Sequence, residues 1–290
     1  MDQTDMPISA DTLIADARFF PTVQQGARTL LDIYRENPRL TAIFGSQQRW
    51  LMAHGGFGLH CDHDPADPAS GLYASRFISL MVRKNVASRN TAAAFINEML
   101  AYRFIRPMDL NRASKPRHLE PTETTSEAMA SWIAVHLALL DDFDGESRHE
   151  ALRRSPDLLW RLQPAIAFAL IDSAIIRHPG PTFDLFTWAS AGGLLMDRLF
   201  ASIVVPGEDT DQPDRFSAGS LSFSEISGSY MISRTHVKRL FSAAAELGSV
   251  GWSGPTGNSV VWLSRSFLNE YQLFQAEKYA IIDRALAAAL

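Results

Sequence analysis

The chain has 290 residues, a formal net charge of −5 and a hydrophobic fraction of 46%. That is apolar material for real cores and length for about two domains, so a disordered chain and a disulfide-held miniprotein are both excluded. The single cysteine, Cys61, rules out an intramolecular disulfide and fits a reducing, cytoplasmic setting.

The N-terminus is acidic and polar (Asp2, Asp5, Asp11, Asp16), unlike a signal peptide. No apolar run approaches the ~20 residues that span a bilayer. The best stretch, 165–176, is too short and contains Asp172, so no membrane partner is expected. After a tail at 1–11, residues 12–20 read as a short helix stopped by Pro21. Residues 22–36 read as a helix through Val23, Ala27, Leu30, Leu31 and Tyr34, broken by Asn37-Pro38. Another helix is expected over 40–53, loosened afterwards by Gly55-Gly56-Phe57-Gly58 and followed by an acidic loop at 62–71. Helices over 73–81 and 88–102 lead into a ribbon at 106–120, whose returning strand is Arg117-His118-Leu119. A further helix starts at Thr124 or Thr125 and runs to about Leu140. The polar, acidic stretch 141–147 is the expected boundary, dividing the chain into domains 1–145 and 146–290.

The second half has helices over 156–177 and 183–203, then an acidic loop at 207–214. The stretch 222–263 is the most organised. Phe223 and Ile226 give a helix an apolar side, and Gly228-Ser229-Tyr230 is the expected turn. Ser233 can cap the next helix by accepting a hydrogen bond from an orphan backbone N–H. Val237, Leu240, Phe241 and Ala244 fall at i, i+3, i+4 and i+7, the buried stripe of an amphipathic helix. Gly248 suits its end, because positive φ costs glycine little. Val250-Gly251-Trp252 and Val260-Val261-Trp262-Leu263 read as strands of a ribbon. Opposite the stripe, Arg234, Thr235, Lys238 and Arg239 share an exposed face. Residues 265–290 form one long helix of packing or dimerisation type.

Ser88-Arg89 and Ser233-Arg234 are separated by 233 − 88 = 145 residues, half the chain. At that offset, without gaps, Ala92, Phe95, Ile96 and Met99 map onto Val237, Leu240, Phe241 and Ala244. Ile78 and Met81 map onto Phe223 and Ile226, Val86 onto Met231, and Ile105 onto Val250. Apolar register that survives with few identities suggests an old duplication of one fold. The polar faces differ. Ala93 and Ala94 stand where Lys238 and Arg239 do, and the first helix offers Arg89, Asn90, Thr91 and Asn97. Residues 83–118 carry eight Lys/Arg against Glu98 and Asp109, and 222–265 carry four against Glu225 and Glu246. Positive charge thus gathers around both motifs in an acidic chain, and phosphate contact needs only that local arrangement.

Two or three helices, a helix-turn-helix, a wing and a closing helix are the plan of MarR-type transcriptional regulators, and each half of the chain resembles one such subunit. Ser233-Arg234-Thr235-His236-Val237-Lys238-Arg239-Leu240 resembles the recognition helix of winged-helix repressors. Asp109-Leu110-Asn111-Arg112 with Arg117-His118-Leu119-Glu120-Pro121-Thr122 is similar to the family's basic wing, although an Asp-Arg-Arg run is absent and Pro121 precedes Thr122. The resemblance implies a mainly α fold with small β-wings. It would consist of two tandem winged helix-turn-helix domains flanked by packing or dimerisation helices, in a pseudo-twofold repeat. It also implies a sequence-specific DNA-binding transcriptional regulator. Duplex DNA would be met by Ser233, Arg234, Thr235, His236, Lys238 and Arg239, by Ser88, Arg89, Asn90 and Thr91, and by Arg112, Lys115 and Arg117 of the first wing. MarR-type dimers place two recognition helices in successive major grooves, about 34 Å apart. Here one chain would act as a pseudo-dimeric monomer, or pair as a homodimer, on an asymmetric site. A small-molecule effector is admitted as a further partner.

No enzyme is expected. Gly55-Gly56-Phe57-Gly58 lacks the P-loop Lys-Ser/Thr, and there is no Gly-x-Ser-x-Gly elbow. The cluster His54, His60, Cys61, Asp62, His63, Asp64 has no structural-zinc spacing and no EF-hand pattern, so neither metal nor cofactor is expected. Trp50, Met52, Trp188 and Met196 are read as core positions rather than walls of an effector pocket. Two other functions stay open. One is a winged-helix protein-interaction scaffold without DNA binding, favoured by Ala93-Ala94, a second wing without cations and the acidic total. The other is a replication or partition initiator, a class that also uses two winged helices in one chain.

Overall fold

The computed structural model describes residues 7–36, 45–108, 116–204, 214–256 and 259–290, and over them the chain is mainly helical with small antiparallel sheets. The described elements begin with α1 (Ala10–Ala15), α2 (Phe19–Glu36), α3 (Gln47–Cys61), α4 (Ala74–Arg83), α5 (Arg89–Ala101), β1 (Ile105–Pro107) and β2 (Leu119–Pro121). Then come α6 (Glu123–Asp144), α7 (Arg148–Arg154), α8 (Leu158–Asp172), α9 (Ala174–Arg177), α10 (Pro181–Thr187) and α11 (Gly192–Ala201). The chain ends with β3 (Arg215–Ser220), α12 (Phe223–Tyr230), α13 (Arg234–Glu246), β4 (Val250–Trp252), β5 (Val260–Ser264) and α14 (Arg265–Ala289).

Two compact units share these elements. The first comprises Met1–Ser9, Gln48–Ser173 and Lys278–Leu290, the second Ala10–Gln47 and Ala174–Glu277. They differ from the continuous halves 1–145 and 146–290 expected from the repeat, because residues 145 and 146 both lie inside the first unit. The acidic stretch expected as the boundary turns a helix corner. Gly145 ends α6 at φ 82, its N–H donating to the Asp141 carbonyl at 2.7 Å. Arg148 then pairs with Asp144 at 2.7 Å and Asp283 at 2.6 Å. A mostly buried guanidinium that satisfies several carboxylates fixes the corner by charge-assisted hydrogen bonds.

In the first unit, α5 buries Ala92, Phe95, Ile96 and Met99, the expected stripe, and Phe95 stacks on Phe77 of α4 at 5.9 Å. β1 and β2 pair antiparallel with Ile105 opposite Pro121. The Leu119 N–H also donates to the Leu72 carbonyl at 2.7 Å, so the segment just before α4 borders β2. In the second unit, α13 buries Val237, Leu240, Phe241 and Ala244, again as expected, and Phe241 meets Phe223 of α12 and Phe186 of α10. Its sheet has the order β3-β5-β4, antiparallel, with Val250 opposite Leu263. Shifting the bounds of α5 and β1 by 145 gives 234–246 and 250–252, the bounds of α13 and β4. The reversal between α12 and α13 falls on Met231 in the left-handed region (φ 53), later than the Gly228-Ser229-Tyr230 turn expected, because α12 continues through Tyr230.

Elsewhere tertiary packing moved the ends. Pro21 does not stop a helix; it sits in the first turn of α2, where its missing N–H loses no bond. The helix expected over 156–177 is divided at Ser173, and that over 183–203 is divided where Ala191 takes φ 56. The helix expected from residue 40 is described from Gln47, since 37–44 lie outside the described residues, as do 207–213 of the second acidic loop.

Gly55-Gly56-Phe57-Gly58 lies inside α3 rather than loosening its end. A Cβ on Gly58 would stand 2.6 Å from the Ala167 Cβ of α8, and one on Gly55 2.6 Å from the Met81 Cε of α4. Glycine is a weak helix former, but here its bare backbone lets neighbouring helices approach. Gly58→Val is expected to destabilise by about 1–3 kcal/mol through overpacking. A lower urea midpoint at unchanged m-value would show it; an unchanged midpoint would mean that α8 yields freely.

Candidate nucleic-acid interface

The geometry of α13 starts from its cap. The His236 N–H donates to the Ser233 Oγ at 3.1 Å, which satisfies one orphan donor of the first turn. With one stripe buried, Arg234, Thr235, Lys238, Arg239 and Ser242 are left exposed on the other side. α5 is built the same way. The Thr91 N–H donates to the Ser88 Oγ at 3.2 Å, and the Thr91 hydroxyl lies 2.9 Å from the same oxygen. Arg89, Asn90, Ala94 and Asn97 are exposed, with Ala93 half-buried between them. Ser88, Thr91 and Ser233 are therefore occupied as local caps, whereas the arginines, Asn90 and Lys238 project from the helices.

Among the described residues, no ion pair involves Arg89, Arg117, Arg234, Lys238 or Arg239. The rest of the basic segment is less free than its composition suggests. Lys84 pairs with Asp172 at 2.7 Å, and Arg106 pairs across the ribbon with Glu120 at 2.7 Å. Among the described residues, Arg83 and Arg103 also lack a carboxylate partner, and Arg83 donates to the Ser79 Oγ at 2.7 Å. His236 behaves differently. Its Nε2 lies 3.3 Å from the Ser190 carbonyl oxygen, so this ring ties the start of α13 to the α10–α11 turn. Arg112 and Lys115 lie outside the described residues. Ser242, not among the expected contacts, is exposed seven residues after Thr235 and completes the same stripe; helical periodicity alone places it there.

The histidine-rich stretch does not converge. His54 is buried between Trp50 and Trp132, with both ring centroids 4.6 Å away. Its Nδ1 accepts from the Gln163 side-chain amide at 3.3 Å. Burial pushes the Cys61 thiol up to about 12, with Asp62 adding to the effect, which makes it a poor thiolate donor. Among the described residues no three His, Cys, Asp or Glu side chains come together as a metal site. Met52 and Met196 are core residues, Trp50 belongs to the cluster around His54, and Trp188 is partly exposed against His178.

Compared with known proteins, the chain matches no family model, no curated protein and no solved structure.

Proposed function

We propose that the chain is a sequence-specific DNA-binding regulator made of two winged helix-turn-helix units with unlike reading helices, in the manner of MarR-type proteins. The observation that carries this reading is the capped helix α13, exposing Arg234, Lys238 and Arg239 without carboxylate partners. It follows a helix and a tight turn and precedes an antiparallel ribbon. The same order recurs at α4, α5, β1 and β2. A helix of this kind enters the major groove with its N-terminal residues at the base edges, while neighbouring cations hold phosphates. The ribbon would lie along the flanking backbone, and Arg117 at its foot suits a phosphate. The duplication of one fold and the MarR-type plan belong to the same proposal. Among the described residues, no helix is long and apolar enough to cross a membrane.

The test is a fluorescence-anisotropy titration against pooled genomic duplexes from the protein's own source, at several salt concentrations. Each phosphate neutralised releases counterions, so about four contacts predict a loss of roughly 10²-fold between 50 and 200 mM salt. Selection of a fragment subset would establish specific reading. Absence of binding at low salt would overturn the proposal.

A further inference from the structure

We infer that the DNA site joins two unlike half-sites, an A·T half read by α5 and a guanine-bearing half read by α13; the inference rests on the DNA-binding reading above. It follows from one stripe of four positions. On α5 the i, i+3, i+4, i+7 row is Asn90, Ala93, Ala94 and Asn97, exposed except for the half-buried Ala93. At the offset of 145 the row on α13 is Thr235, Lys238, Arg239 and Ser242. The two helices have matching bounds, serine caps at matching positions and buried stripes in the same register. Equivalent positions therefore stand at the same height on the same side of each helix, and only the chemistry presented to a groove changes.

That chemistry discriminates. Lys and Arg side chains carry donors and no acceptor. They match guanine, whose major-groove edge offers two adjacent acceptors, O6 and N7. Adenine offers an acceptor beside a donor, and the Asn carboxamide, acceptor and donor together, fits that edge in a bidentate pair. Alanine methyls pack against the C5-methyl of thymine, which only A·T pairs possess. Asn90 and Asn97 flanking Ala93 and Ala94 thus form a row suited to adenine and thymine. Arg89, at the position of Arg234, keeps one cation for the backbone on α5.

Selection of bound duplexes from a random library by the full chain tests this directly. The expected result is a motif of two blocks, one A·T and one containing guanine, each key base favoured roughly tenfold. Asn90→Ala with Asn97→Ala should flatten the A·T block and leave the guanine block. Lys238→Ala with Arg239→Ala should do the reverse. All four side chains are exposed, so a loss of fold, checked by helical circular dichroism, is not the expected cause. Two like blocks, a single block, or flattening of both blocks by the asparagine variant would overturn the inference while leaving DNA binding in place. Failure to enrich any duplex at any salt would instead remove the DNA-binding reading, and this inference with it.

Discussion

Alanine at both Lys238 and Arg239 is expected to weaken duplex binding by about 10²-fold while the fold persists. Each charge contact to a base or phosphate is worth about 1–3 kcal/mol, and two such losses on one helix face compound. The salt slope should shallow by about one for each of the two cations that contacts a phosphate. Both side chains are exposed and neither belongs to an ion pair. Alanine is the best helix former, and the buried row of Val237, Leu240, Phe241 and Ala244 is untouched, so thermal unfolding should hardly move. A control pair separates charge from place. Arg153 and Arg154 of α7 are also exposed, but both are paired with Glu150, and their alanine variant should bind as the parent does. Equal affinity for parent and Lys238/Arg239 variant would remove α13 as the reader.

The two capped helices were legible because their signals are local. Ser88 and Ser233 accept their cap bonds, Gly248 takes φ 70 at the helix end, and the eight stripe residues are buried as their spacing requires. The exposed face is the complement of that stripe, so the cations of α13 could be read from periodicity alone. Charge counting was a poorer guide. Arg106 stands opposite Glu120 in the β1–β2 register, and Lys84 finds Asp172 on another helix, pairings that composition does not show.

What was misread depended on distant partners. The glycines of α3 looked like a loosened loop because propensity counts only their own cost. Their value lies in contacts with Ala167 and Met81. Composition marked 141–147 as a boundary but did not show that Arg148 gathers Asp141 and Asp144 with Asp283, 135 residues beyond it. The compact units are likewise assembled from separate stretches of the chain, with α1 and α2 in one and the end of α14 in the other. Met231 and Ala191 adopt positive φ without any glycine to announce it. The place of His54, which its spacing does not give, is set by Trp132 and Gln163 from α6 and α8.

That burial leads to the second large effect, a loss of stability below neutral pH. His54 is 2% exposed and His136 0%, and both rings lie against Trp132. Burial, reinforced by the Lys278 ammonium, holds His54 down to about 3 and His136 well below the ordinary imidazole value of 6.5. The His136 Nδ1–H is committed to the Trp132 carbonyl at 2.7 Å. Above pH 6.5 both histidines are neutral in the folded and the unfolded chain, and stability is indifferent to them. Below it the unfolded chain takes up protons at both that the folded chain refuses; His60, also lowered by burial, adds to that slope, and Glu270, raised by burial, opposes it. Stability then falls by up to about 1.4 kcal/mol per pH unit for each histidine, and the His54 share stops only where the folded chain protonates, near pH 3. From pH 6 to pH 5 the expected loss is about 2 kcal/mol, seen as a falling urea midpoint. Asp16 and Glu150, held down to about 2 by arginine partners, titrate below this window and do not supply the slope. His54→Gln with His136→Gln should make the profile shallower between those pH values, leaving the share of His60, whatever it does to stability at pH 7. A parent profile already flat there would mean that the folded chain protonates both rings, which their enclosure by Trp50, Trp132 and Tyr279 opposes.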